Sequence, residues 1–100
     1  MIMTGDPIPA EKALAWGLVS EVVPQADLLA RARAIADVIA SRAPIAAETA
    51  KLNLQAAFTM PQEQAIHYER DLQTICFATE DAAEGRAAFK EKRQPTFKRR

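Results

Sequence analysis

The residue types that most often carry chemistry are scarce in this chain: one histidine, His67, one cysteine, Cys76, three glycines, and carboxylates with no paired spacing. His67 beside Tyr68 could shuttle a proton, but a general base needs a placed partner and none is supplied nearby, so a structural histidine is the better reading. Cys76 falls on the apolar stripe of a helical pattern, where burial opposes the thiolate and leaves an inert small hydrophobe. Glu11, Glu69 and Asp71 read as solvated carboxylates on helix surfaces. No Cys/His/Asp/Glu spacing suits a metal and no glycine loop could cradle phosphate, so no metal, no resident cofactor and no catalytic residue is expected. Trp16, next to Gly17, is expected to pack under a turn. The best candidate for ligand binding is Ala87 to Arg93. There Phe89 stands beside Lys90, Lys92 and Arg93, an aromatic face with cations that could stack on a flat base and pair with phosphates. Against this, cations closing a helix also serve as complement to its dipole.

The elements that must position these residues are helices. Thr4-Gly5-Asp6-Pro7 reads as a turn, since Gly5 tolerates positive φ and Pro7 disfavours helix at Asp6. Pro9 suits the start of a two-turn helix through Trp16, with Gly17 ending it in the left-handed conformation. Leu18 to Val23, with three valines before Pro24, is the one segment that reads as a short strand. From Ala26 to about Arg42, Leu28, Ala32, Ile35, Ala36 and Ile39 recur at helical steps and predict an amphipathic helix with one buried face. Pro44 opens a helix whose inner face is expected to be Ala46, Ala50, Leu54 and Ala57. Pro61 opens another, with Ala65, Tyr68, Leu72, Ile75 and Cys76 as its stripe. Thr79 is the expected N-cap of the last, with Glu80, Asp81 and Glu84 in its first turns and Lys90, Lys92 and Arg93 towards its end, closed by Pro95 before a basic tail. The expected fold class is mainly α, with at most one short extended segment.

Composition limits what such an assembly can do. One hundred residues make one domain's worth of polypeptide or less. Many of the apolar residues are alanines, which cover little area, so the core should be thin and in need of a partner's surface. One cysteine cannot form an intramolecular disulfide, and the N-terminus lacks a signal-peptide pattern, so the cytoplasm is the expected compartment. No apolar run approaches a membrane span. The net charge is zero, yet from Arg86 onward seven basic residues face Glu91 alone. That end should seek anions: a phosphorylated ligand, a nucleic acid or an acidic patch on another subunit.

Three segments in order, TGDPIPAEKA from Thr4, GLVSEVVP from Gly17 and FATEDAAEGRAAFKEKRQP from Phe77, with Ala43-Pro44 and then Lys51 between, resemble the C-terminal part of the crotonase superfamily. Its typical members are enoyl-CoA hydratases and isomerases. The resemblance implies a parent enzyme with a spiral core of ββα units, followed by helices that pack on that core and on neighbouring subunits in homo-oligomers, trimers or hexamers. It covers nearly the whole chain as one C-terminal helical and oligomerisation segment, residues 1–100. In the family the oxyanion donors and the water-activating glutamates lie in the spiral, upstream of anything matching Met1, so the chain by itself is expected to be inactive. By the same resemblance, Phe89 and Lys92 would contact the adenine and phosphate end of an acyl-CoA substrate, in fatty-acid or related acyl-CoA metabolism. Where some members carry an aromatic one turn before Phe77, this chain has Gln73.

Two other readings compete. A free-standing helical module that associates with a relative and catalyses nothing would have the same pattern. Nucleic-acid binding through the basic tail is disfavoured, because the charge is confined to one end of a neutral chain.

Overall fold

The computed structural model describes all 100 residues and is 63% helical with no strand. Five helices follow in order: α1 Ala10–Ala15, α2 Leu28–Ala40 after a 3-10 turn at Gln25–Asp27, α3 Pro44–Ala56, α4 Gln62–Phe77 and α5 Glu80–Glu91. The chain divides into two compact units, Met1–Ile35 and Ala36–Arg100. The boundary lies inside α2, which is why no Gly- or Ser-rich linker marks it.

In the first unit Gly5 takes φ +74° and its N–H donates to the Met1 carbonyl at 2.8 Å, closing a turn over Ile2 to Thr4, earlier than the expected Thr4 to Pro7, where Gly5 to Pro9 carry no regular structure. α1 ends in a Schellman motif. Gly17 stands at φ +72°, its N–H donates to Leu14 O at 3.0 Å, and the Leu18 N–H donates to Ala13 O at 2.9 Å. The expected strand over Leu18 to Val23 does not form: Leu18 to Ser20 are bends and Glu21 to Pro24 carry no regular structure. Valines favour an extended backbone, but a strand needs a second edge to pair with, and this chain provides none. Trp16 is not packed under the turn; it is 56% exposed and carries the Lys12 ammonium 4.6 Å from its ring centroid. Arg31 Nε bridges both carboxylate oxygens of Glu21 at 2.9 Å.

In the second unit α3 packs along α4, and α5 meets α4 after the short Ala78-Thr79 connection. Pro44 occupies the first turn of α3, where its missing N–H costs nothing, while Pro61 serves as the N-cap of α4. The less exposed face of α3 carries Ile45, Thr49, Asn53 and Ala56, whereas the expected Ala46, Ala50, Leu54 and Ala57 are exposed. Thr49 can turn inward because its hydroxyl is satisfied locally, donating to Ile45 O at 2.9 Å and lying 3.1 Å from Cys76 Sγ. The α4 stripe is partly covered at Ala65, Tyr68, Leu72 and Cys76, but Ile75 is exposed.

The core is thin, as the alanine content predicts, and thinner than the helical apolar stripes suggest. Only Ala13, Ala56, Ala88 and the carboxylate Asp81 are buried. Every residue of α2 is exposed, including Leu28, Ile35 and Ile39 from its expected buried face. The accessible surface is 8476 Å², whereas a compact folded chain of 11.0 kDa would show roughly 5,600 Å². An apolar periodicity records which face a helix can bury; it cannot say whether a covering surface belongs to the same chain.

Candidate functional site

The candidate site is built on α5 and the segment that follows it. Thr79 caps the N-terminus of α5 as expected, its hydroxyl oxygen accepting from Ala82 N–H at 3.0 Å. The Asp81 N–H is met by the main-chain oxygen of Arg100 at 2.8 Å. At the other end the helix stops at Glu91, before Pro95, because Lys92 turns into the left-handed region at φ 54°, ψ 37°. Its N–H donates to Phe89 O at 3.3 Å and Arg93 N–H to Ala88 O at 3.0 Å, again a Schellman motif. No proline is needed to stop a helix already closed by this pair of bonds.

Beyond Lys92 the chain runs back along α5, and the expected basic tail forms a strap on it. Asp81, 2% exposed, accepts from the backbone N–H groups of Lys98 at 2.6 Å and Arg99 at 2.8 Å. Glu84 accepts from Thr96 N–H at 2.8 Å and takes a two-pronged bond from Arg93, Nη1 to Oε1 at 2.6 Å and Nη2 to Oε2 at 2.9 Å. Arg93 Nε also reaches Glu91 at 2.6 Å. Arg99 pairs with Glu48 and Arg100 with Glu80. Phe97 lies over Gly85, close enough that a Cβ there would stand 3.7 Å from its ring. The Arg93 hydrogen bond, seconded by the Thr96 N–H, holds the Glu84 carboxyl down from 4.5 to about 2. Its hydrogen bonds to Glu84 and then to Glu91 push the Arg93 guanidinium up.

This strap changes the reading of the basic end. Arg93, Arg99 and Arg100 are neutralised within the chain, leaving Arg86, Lys90, Lys92 and Lys98 without a carboxylate partner. Three of the seven basic side chains at this end thus already have partners within the chain. What remains is local: Phe89, 89% exposed on the last turn of α5, and Lys92, exposed at its close. An open ring and an unpaired ammonium at one helix end can stack on a planar group and receive an anion.

His67 is exposed and its Nδ1 lies 3.2 Å from Arg70 Nη1, a cation rather than an orienting carboxylate. Cys76 is half-covered and meets Thr49. Glu11, Glu69 and Asp71 are exposed, Asp71 being paired with Arg70 at 2.7 Å. No group of three potential metal ligands comes together, and no helix is long and apolar enough to cross a membrane. Sequence reasoning missed Asp81 and Glu84 as anchors of the strap. Their partners lie past the helix end, outside the three- and four-residue spacings by which helix pairs are recognised.

The family model for enoyl-CoA hydratase/isomerase matches residues 1–100. The chain belongs to this family. A probable enoyl-CoA hydratase of Mycobacterium bovis is 46% identical over 100 residues, covering 100% of this chain and 39% of that protein. The (E)-benzylidenesuccinyl-CoA hydratase of Thauera aromatica is 42% identical over 98 residues, covering 98% and 38%. Among solved structures, an enoyl-CoA hydratase from Bacillus anthracis matches with a TM-score of 0.94 at 37% identity, over 99% of this chain and 38% of that one. The chain thus spans about two fifths of the length of the enoyl-CoA hydratase/isomerase relatives it matches, and corresponds to their C-terminal part. The crotonase resemblance and the mainly helical fold class are both borne out.

Proposed function

We propose that this chain supplies the nucleotide end of a CoA-thioester site, together with oligomer contacts, in an enzyme that adds water across the double bond of a 2-enoyl-CoA. Phe89 stacks on the adenine and Lys92 pairs with a phosphate. The supporting observation is the pairing of an 89% exposed ring with the one residue of the α5 terminus that keeps a free cation in a left-handed backbone. The enolate-stabilising donors and the water-activating carboxylates are supplied from outside these 100 residues, since no acid/base constellation forms among them. The exposed apolar faces of α2 and α3 support the oligomer contacts, as trimers or hexamers, because apolar surface on this scale is covered in a working assembly.

Calorimetric titration of the chain with CoA tests this reading. Lys92→Ala and Phe89→Ala are each expected to weaken binding by about tenfold, as loss of a charged hydrogen bond or a stacked base would. CoA binding indifferent to both changes, or absent from the unaltered chain, would overturn it. The chain without further protein is expected not to hydrate a 2-enoyl-CoA, and measurable turnover would relocate the active site.

A further inference from the structure

Lys92 occupies a backbone conformation that a side chain disfavours, and a helix end of this type is ordinarily built with glycine. Two non-glycine residues are left-handed, Lys92 and Arg99 at φ 59°; the Arg99 side chain is paired with Glu48, and the strain kept at Lys92 points to a use for its free side chain. The Lys92 side chain is exposed and makes no ion pair, yet its neighbour Arg93 is tied on several sides. Its guanidinium bonds Glu84 with both terminal nitrogens, Glu91 with Nε, and the Gln94 carbonyl at 3.3 Å. Glu84 in turn holds the backbone of Thr96. Points before and after Lys92 are thereby fixed to the body of α5. With Glu91, Arg93 and Thr96 anchored, the chain between them folds back along α5 with Lys92 at the left-handed turn.

We infer that Glu84 and Arg93 are positioning residues, which hold Lys92 in its left-handed conformation and so present its ammonium to the phosphate of a CoA ligand. The ligand half of this inference rests on the CoA reading above. The mechanism is one of preorganisation. A flexible four-carbon ammonium loses affinity to the entropy of its own ordering, and fixing the backbone that carries it removes part of that loss. The depressed carboxyl of Glu84 keeps the clamp charged over the whole physiological range.

Two measurements on the full chain test this. In calorimetry with CoA, Glu84→Gln is expected to raise the dissociation constant by about tenfold, and to add nothing once Lys92→Ala is present. If Lys92→Ala weakens binding and Glu84→Gln does not, the clamp has no positioning role while the CoA reading stands. If Lys92→Ala itself has no effect, the phosphate role of Lys92 fails and the ligand half of the inference fails with it. Thermal unfolding without ligand judges the clamp alone. The drop in melting temperature caused by Glu84→Gln should shrink when Lys92→Gly is also present, because glycine needs no help to take this conformation; an equal drop in both backgrounds overturns the clamp. Should Glu84→Gln fail to fold, the Lys92→Gly/Glu84→Gln double variant decides, recovery of the fold supporting the clamp and persistent misfolding overturning it.

Discussion

Two helices in this chain end in the same way with opposite residues. α1 closes through Gly17 at φ +72° and α5 through Lys92 at φ 54°, each with the same pair of reversed backbone bonds. At Gly17 nothing lies within 4 Å of where a Cβ would stand, so the glycine serves the backbone and not the packing. At Lys92 the same geometry is held from outside, by a strap of returning chain and an arginine between two glutamates. A turn that only has to turn can take glycine. One that has to turn and also offer a cation needs bracing.

The largest effect is expected where the brace is rooted. Asp81→Ala leaves the Lys98 and Arg99 N–H groups without their buried acceptor and should cost about 2–3 kcal/mol. Amide hydrogen exchange at those two residues should rise sharply, while exchange at Leu18 on the α1 cap stays unchanged. Next, Gly17→Ala forces a side chain into the left-handed region and should destabilise by about 1–2 kcal/mol. Lys92→Gly should move stability in the opposite direction, by up to about 1 kcal/mol, because it relieves the same penalty. Circular-dichroism melts of the two variants read this directly, and equal signs would break the comparison. A smaller effect separates the ends by pH. Glu84 has a depressed carboxyl, so the stability it contributes is present above 4.5 and is lost as the pH falls from there through about 2. The strap should therefore remain closed at pH 5 and open near pH 2, followed by the Glu84 carboxyl resonance. The α1 cap has no titrating partner and should not respond. Smallest of all, Glu21→Gln removes an ion pair whose side chains are 41% and 50% exposed, and should change stability by no more than about 0.5 kcal/mol.

Much of the fold was legible because helix boundaries are written in local residues. Pro44, Thr79 and Gly17 each did what their chemistry predicts, since caps and left-handed turns are decided within a few residues. The failures share a cause. The Leu18 to Val23 strand, the buried face of α2 and the packed Trp16 all needed a second surface, which a pattern along one chain cannot supply. The candidate site was half legible. Phe89 and Lys92 stood out by type and by family resemblance, but the carboxylates that shape their surroundings did not, because Asp81 and Glu84 meet partners 9 to 18 residues away through a tail that doubles back.

The scarcity of buried side chains has a calorimetric consequence. The heat capacity of unfolding follows the apolar area that unfolding exposes, and much of that area is already in water in this chain. Judged by its surface, the chain buries roughly three quarters of what a compact chain of its mass would, so its heat-capacity increment should be about 1 kcal/mol/K or less. Its stability curve should be shallow, with a broad melt and weak sensitivity to cooling. Any surface that covers α2 and α3 would add the missing increment, and its docking would be recognisable by a steepening of that curve.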